Sequence, residues 1–484
     1  MDSKKRSIVI AVMVAMFLGA VEGTVVTTAV PTIVKELNGF ELISWVFSLY
    51  LLTSAISTPI YGKLSDLYGR KNVLSVGIII FLIGSSLCGI SQSMYQLIAF
   101  RAVQGLGAGS IFTVTYTIVG DVFSLSERAK VQGWLSTVWG IASLAGPFLG
   151  GFLIDYLSWH WIFFINIPFG IMSIILIQKN LKENFERKKH KIDYAGTAAL
   201  SASIIALLYG VLVGGESQSF YSLTIAVSLV ITVIFLIVFY FVEKKAEEPI
   251  IPFDIFTKTN IIVNIISFLA SAVLIGVDVY MPIYMQNVLG FGATISGISM
   301  APMSVAWLVS AVILGKAIPK HGERAVIALS TIILVVSCAL LPTLTVSSPL
   351  LLVIIYITIM GFGFGGSFTT LTIVVQSSVD YNKRGAATAS NSLVRTLGQT
   401  IGVSVFGSMF NLSIVKYFSK LGIQGVEPNN LYSAASVNYG VSIDQIKASL
   451  HSGLYSVFIL LTILTVVSLT LSFILPNALK EKRA

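Results

Sequence analysis

Long apolar stretches constrain this chain more than any other feature. Fourteen can be placed, most of them about 18 to 25 residues long, which is the length a helix needs to cross a bilayer. They lie at 8–30, 41–61, 74–91, 95–118, 131–154, 161–178, 194–214, 221–242, 260–285, 294–315, 325–345, 349–375, 386–410 and 453–475. Because only 11% of the 484 residues are charged and 55% are apolar, a soluble globular protein is excluded. The sequence predicts an all-α integral membrane fold with fourteen transmembrane helices.

The orientation follows from the positions of Lys and Arg, which cytoplasmic loops retain. With the N-terminus inside, most of the 31 Lys and Arg lie in cytoplasmic segments, and only Lys35, Lys416, Lys420 and Lys447 fall in outer loops. We therefore expect a multi-pass protein of the cell membrane with both termini cytoplasmic. The net charge of +9 reflects this bias and contact with anionic headgroups, and it does not indicate nucleic-acid binding.

A repeat relates the two ends of the chain. Matching residues recur 256 positions apart, at Glu22 and Asp278, Gly105 and Gly361, Gly107 and Gly363, Arg128 and Arg384, and Gly146 and Gly402. The predicted plan is six, two and six helices. Residues 1–178 form an N-terminal six-helix half, residues 179–259 hold cytoplasmic linkers and two inserted helices, and residues 260–484 form a C-terminal six-helix half.

Each half carries one acid in its first apolar stretch, Glu22 and Asp278. A charge in hydrocarbon costs a few kcal/mol, so these acids are candidates for proton coupling. Arg101 lies at a similar depth to Glu22 and is its candidate partner. Two alternatives stay open: Arg101 extends to the outer headgroups, or the pair is purely structural. Asp278 lies nearer the outer end of its stretch, where water would keep it ionised.

A cytoplasmic loop motif, GKLSDLYGRKNV at 62–73, follows the second stretch. Its glycines Gly62 and Gly69 let helix ends approach closely, while Asp66, Arg70 and Lys71 supply charges that can bind neighbouring helix ends in one state and release them in another. The interpretation is a cytoplasmic gate, and the alternative is a basic turn. The second half has a weaker copy, GKAIPKHGER, in which proline replaces the central aspartate.

The loop motif resembles the signature of the major facilitator superfamily, and LIAFRAVQGLGAG at 97–109 is similar to its fourth-helix motif. The string GIASLAGPFLGG at 140–151 resembles the antiporter motif of the fifth helix, with Gly146, Pro147 and Gly150 in register. This resemblance covers essentially the whole chain and implies the major facilitator fold.

Two further strings resemble the fourteen-helix drug:proton antiporter family: VEGTVVTTAVP at 21–31 and WHWIFFINIP at 159–168. That family usually has Asp where this chain has Glu22, and Arg where it has His160. The resemblance implies multidrug efflux, and thereby antibiotic resistance.

A polar stripe marks the thirteenth stretch, where Asn391, Arg395 and Gln399 recur at four-residue spacing and so share one helix face. We expect this face to line a substrate cavity, with interhelical hydrogen bonding as the open alternative. Aromatic residues are candidates for the apolar or cation–π surface of the cavity: Trp45, Tyr50, Tyr116, Trp139 and Trp307.

The predicted function is proton-coupled efflux of lipophilic, often cationic, drugs by alternating access, in which the two halves rock about a central cavity. The expected partners are a small lipophilic substrate, protons and the bilayer, and we expect the chain to function as a monomer. No enzyme motif, metal-ligand cluster or cofactor motif is present in the sequence, so the proton gradient is the expected energy source. A lipid or metabolite transporter on the same fold is the main alternative. A proton symporter for uptake is a less favoured alternative, and a membrane receptor or enzyme is the least favoured.

Overall fold

The computed structural model describes residues 3–123, 125–181, 193–216, 223–246, 253–379, 384–423 and 441–476, together with residues 426, 428 and 431. Within these residues the chain is helical and contains no strand. The α-helices are α1 Ser3–Glu36, α2 Ile43–Tyr68, α3 Arg70–Gly89, α4 Met94–Val122, α5 Leu125–Tyr156, α6 Trp161–Phe164, α7 Asn166–Asn180, α8 Tyr194–Glu216, α9 Leu223–Lys245, α10 Lys258–Ile283, α11 Ala293–His321, α12 Glu323–Leu340, α13 Leu350–Ser377, α14 Arg384–Lys420 and α15 Ile443–Ile474. A π-helical turn, Tyr284–Val288, continues α10.

The helices have the length and composition of membrane spans. Thirteen helical segments in the described residues meet both criteria, with α6 and α7 counted as one segment, and the apolar part of α8, Ala195–Gly210, is a shorter apolar helix. An all-helical, multi-pass membrane fold with thirteen to fourteen candidate spans is therefore confirmed.

The chain divides into two compact units. Unit 1 comprises Met1–Leu37, Trp45–Leu207 and Ser228–Ile250, and unit 2 comprises Asn38–Ser44, Leu208–Val227 and Ile251–Ala484. In unit 1, α1 packs against α5 and α7, and α3 packs against α4. In unit 2, α10 packs against α14 and α15, and α12 packs against α13.

Glycines at the repeated positions make equivalent contacts in the two units. A Cβ on Gly105 of α4 would overlap the backbone of Tyr50 in α2, and a Cβ on Gly361 of α13 would overlap the backbone of Met303 in α11. These glycines are needed because the helix backbones approach too closely for a side chain. The sequence repeat therefore corresponds to a repeated mode of helix packing.

The polar segment 411–452, which reads as an outer loop in the sequence, is largely helical where the structure describes it. Helix α14 continues to Lys420, and α15 already begins at Ile443 with a capping box between Ser442 and Gln445. Phe410, Ile414 and Phe418 recur every four residues and are fully buried, so the extension is amphipathic rather than disordered. The Ser, Asn and Gly content of 411–452 predicts an outside loop with a short helix at 443–450. That prediction is wrong for residues 411–420, which belong to α14, and residues 443–450 are the first part of the longer α15.

Candidate functional site

Glu22 is buried in α1, with 1% of its side chain exposed, and it forms an ion pair with Arg101 of α4, which is equally buried. Arg101 Nη1 donates to Glu22 Oε1. The structure thus brings together Glu22 and Arg101, which the sequence predicts to lie at similar depth in the membrane. A buried pair of this kind neutralises two charges that would each be costly alone in hydrocarbon.

Three polar side chains complete the hydrogen bonding around this pair. Asn166 of α7 donates through Nδ2 to Glu22 Oε2 over 2.7 Å and to Ser85 Oγ over 3.0 Å. Gln104 Oε1 accepts from Arg101 Nη1 over 2.7 Å. Both carboxylate oxygens therefore accept from N–H donors, and the cluster joins α1, α3, α4 and α7.

Arg101 has further contacts with α2 that do not involve Glu22. Its Nε donates to the carbonyl of Val46 over 3.3 Å, and its guanidinium lies 4.1 Å from the ring centroid of Tyr50. The hydroxyl of Tyr50 and Nε2 of Gln104 are buried without a hydrogen-bond partner among the described residues. These two groups are spare hydrogen-bonding capacity beside the charged pair.

The antiporter-like motif positions the segment of α1 that carries Glu22. Gly146 of α5 lies against Thr24, where a Cβ would lie 2.8 Å from the Cβ of the threonine. One turn further along α5, a Cβ on Gly150 would lie 2.9 Å from the carbonyl oxygen of Val25. Pro147 lies between them, inside the helix. The motif therefore holds α5 against α1 within one turn of Glu22.

Asp278 of α10 is partly buried and forms no hydrogen bond or ion pair with any described residue. At the position 256 residues after Arg101 the chain has Ile357, so the second half lacks the corresponding base. The two acids are equivalent in sequence but not in structure.

The polar stripe of α14 has two different environments. Asn391 is buried and donates to Asn264 Oδ1 over 2.8 Å and to Ser267 Oγ over 3.0 Å, which ties α14 to α10. Arg395 is half-buried and donates to Thr372 of α13 over 2.9 Å. Gln399 is also half-buried. Asn391 therefore forms interhelical hydrogen bonds, which was the alternative to lining a substrate cavity. Arg395 and Gln399 keep some exposure.

Of the four aromatic cavity candidates in the first half, Tyr50 is buried and Trp45 is partly buried, whereas Tyr116 of α4 and Trp139 of α5 are 46% and 39% exposed. Trp139 stacks on Phe112, with ring centroids 5.6 Å apart and planes 22° apart. Phe112 in turn lies over Gly19 of α1. Trp139 thus continues an aromatic contact that begins at α1.

In the loop motif, Gly69 lies directly before α3 and has φ of 90°, a backbone conformation that strongly favours glycine. Gly322 has φ of 87° in the same place before α12, so both halves share this turn. Arg70 donates to Ser65 Oγ over 3.3 Å, and Gly62 and Lys71 occupy the adjoining helix ends of α2 and α3. The side chain of Asp66, the predicted acid of this motif, lies outside the described residues.

Comparison with known proteins places this arrangement in a family. The model of the Major Facilitator Superfamily matches residues 12–403. The chain belongs to the major facilitator superfamily. Over 409 residues this chain is 36% identical to Multidrug resistance protein 3 of Bacillus subtilis (strain 168). The match covers 84% of this chain and 80% of that protein. The chain is 30% identical to Multidrug efflux pump SdrM of Staphylococcus aureus (strain N315), with 89% and 93% covered. It is thus a member of a transporter family, in the cell membrane.

Solved structures agree on the fold. A bacterial homologue of the human lysosomal transporter Spinster, in an inward-facing and occupied conformation, superimposes with a TM-score of 0.70 at 14% identity, covering 98% of this chain and 97% of that one. A crystal structure of the D-xylose–proton symporter gives 0.60 at 14% identity, with 84% and 90% covered. At such identities the likeness concerns the fold alone.

Sequence reasoning did not single out Asn166, Ser85 or Gln104. Gln104 follows Arg101 by three residues and so shares its helix face, and Asn166 is an isolated amide in the apolar string FFINIPF. Both were detectable as polar residues in hydrocarbon. Ser85 carries no such signal, because serine is common in membrane helices. Among the described residues, no group of three or more His, Cys, Asp or Glu is arranged to hold a metal ion.

Proposed function

We propose that this chain exports lipophilic, often cationic, drugs in exchange for protons, and that Glu22 is the acid that exchanges them. The observation that carries the proposal is the buried cluster around Glu22, in which one carboxylate is held by Arg101 and Asn166. A fully buried acid in a membrane helix is retained at a substantial cost in free energy. The relatives named as multidrug transporters support the same substrate class.

The contacts of Arg101 provide a way for the pair to open. When a proton binds Glu22, the acid becomes neutral and no longer holds the guanidinium. Arg101 then keeps the oxygen of Gln104, the carbonyl of Val46 and the face of Tyr50, so it is not left without partners. When Glu22 is ionised and Arg101 is held by these other partners, the carboxylate can attract a cationic drug. A proton bound to Glu22 removes that negative charge, so binding of the proton weakens binding of the drug and binding of the drug weakens binding of the proton. That competition is the basis of exchange.

Further roles follow from the same proposal. Asp278 is a second acid available to protons, and the motif of Gly62, Asp66, Gly69, Arg70 and Lys71 is the cytoplasmic gate. Tyr116, Trp139, Arg395 and Gln399 are candidates for contact with substrate. We also propose fourteen spans with both termini in the cytoplasm, and function as a monomer.

The test is efflux of ethidium driven by a pH gradient in proteoliposomes. The native chain should move ethidium only when the gradient is present. Glu22→Gln keeps the size of the side chain and one acceptor oxygen but cannot exchange a proton, so gradient-driven transport should fall at least about ten-fold, the equivalent of about 1.4 kcal/mol.

The matched control is Glu36→Gln, which removes a negative charge from the exposed end of the same helix and should transport like the native chain, because the amide oxygen can still accept the hydrogen bond that Trp159 Nε1 donates to Glu36. Unchanged coupling in Glu22→Gln would refute the role of Glu22. Absence of any ethidium movement by the native chain would redirect the search to lipid or metabolite substrates.

A further inference from the structure

Arg395 of α14 is an arginine of unit 2 that has no counter-charge among the described residues. It lies within the candidate span of α14, and no described carboxylate forms an ion pair with it. In unit 1, by contrast, Arg101 is neutralised by Glu22. An arginine without a counter-ion at membrane depth is costly, so its retention calls for an explanation.

The guanidinium is only partly satisfied. Its Nη2 donates to Thr372 Oγ1 over 2.9 Å and to the carbonyl of Phe368 over 3.4 Å. Its Nε is buried and has no acceptor among the described residues, and no described acceptor lies on Nη1. Nη1, unlike Nε, is not among the buried atoms, so an acceptor from outside the protein can reach the guanidinium at Nη1.

Aromatic rings lie directly beside this group. The guanidinium is 4.7 Å from the ring centroid of Phe368, and Phe368 stacks on Trp307 with centroids 5.2 Å apart and planes 9° apart. Phe364 stacks on Trp307 in the same way. Trp307 is itself partly exposed. Phe364 and Phe368 are buried, so Trp307 is the ring of these three that keeps partial exposure near the guanidinium.

Asp278 does not supply the missing negative charge. Helices α10 and α14 lie side by side, with Asn391 bonded to Ser267 and Gly398 packed on Phe268. Arg395 lies between these two contacts on α14, so Asp278 is at least ten residues further along α10, or about 15 Å at the helical rise per residue. At that separation the two side chains cannot form a hydrogen-bonded pair.

We propose that Arg395, with Phe368 and Trp307, binds the carboxylate of planar aromatic substrates. The carboxylate accepts charge-assisted hydrogen bonds from the guanidinium, which Phe368 positions, and the ring system of the substrate packs against the exposed part of Trp307. The biological meaning of this site rests on the proposed export function, which it extends from cations to aromatic compounds that carry a carboxylate. A purely structural arginine that ties α14 to α13 would show no preference for a carboxylate.

The experiment is equilibrium dialysis of naphthoate and of its methyl ester against the purified full-length chain in detergent, with empty micelles as the blank. The native chain should bind the acid more tightly than the ester. Arg395→Gln should lower the acid-to-ester affinity ratio about ten-fold, because it removes a charge-assisted hydrogen bond. The matched control is Lys416→Gln, which removes one exposed positive charge from the same helix and should leave the ratio unchanged.

Three results would overturn the proposal. The first is equal binding of acid and ester by the native chain, which decides the matter even where Arg395→Gln fails to fold. The second is an unchanged ratio in Arg395→Gln. The third is displacement of naphthoate by short-chain phosphatidylglycerol at concentrations below those at which naphthoate itself binds, which would assign the site to a lipid headgroup. Because binding is measured without a pH gradient, failure of proton coupling at Glu22 leaves this result unaffected.

Discussion

Replacing Arg101 by methionine measures how much the buried ion pair stabilises unit 1. Methionine fills a similar volume but leaves the Glu22 carboxylate buried without its counter-charge, and Gln104 Oε1 and the Val46 carbonyl lose their donor. Breaking a buried pair from one side costs about 3–5 kcal/mol. For a unit of this size, each kcal/mol lowers the melting temperature by about 2–4 °C, so the expected loss is on the order of 10 °C.

The assay is thermal unfolding of the purified chain in detergent, with the double variant Arg101→Met/Glu22→Gln beside the single one. Removing the acid as well removes the uncompensated charge, so the double variant should recover at least about half of the loss. Arg6→Met, at an exposed position of α1, serves as the control and should melt like the native chain. The reasoning is refuted when Arg101→Met melts within about 2 °C of native, or when the double variant is no more stable than the single one.

Three further predictions concern packing, the second acid and the loop turn. Gly146→Ala brings a Cβ against Thr24 and should lower the free energy of unfolding by about 1–3 kcal/mol. The control Gly23→Ala places its Cβ in open space and should be neutral or stabilising in the same melting assay. Equal effects of the two substitutions would contradict the close contact between α5 and α1. Asp278→Asn should leave the melting temperature unchanged or raise it, because no described residue pairs with the acid. Gradient-driven ethidium efflux should fall. A marked loss of stability with normal efflux would contradict this role of Asp278. Gly69→Ala should cost about 1–2 kcal/mol through its positive φ, and a neutral effect on unfolding would show that the turn relaxes.

The number and order of the helices were largely predictable, because a membrane helix must be apolar over its whole crossing length. The ends were not. Residues 411–420 alternate buried apolar side chains such as Ile414 and Phe418 with exposed Lys416 and Lys420, and such a pattern lacks the overall hydropathy of a span. A criterion based on amphipathicity would have extended α14 and started α15 earlier.

The pairing of Glu22 with Arg101 was predictable from matched depth on two helices, since opposite charges in hydrocarbon seek each other. The contribution of Asn166 was not, because it depends on how α7 packs against α1 and α3. The same holds for Arg395. Its place on a polar stripe was visible in the sequence, whereas its contacts with Thr372 and Phe368 arise only from the packing of α14 on α13.

The most direct test of the central claim is proton release on substrate binding. Ethidium is added to the purified chain in weakly buffered detergent solution, and the pH is followed with an indicator dye. The starting pH is acid enough for Glu22 to carry a proton before ethidium is added. If a drug and a proton compete for Glu22, the native chain should then release protons in proportion to the ethidium bound, and Glu22→Gln should bind ethidium without that release. Equal proton release by Glu22→Gln would contradict the account and would assign the exchange to another group.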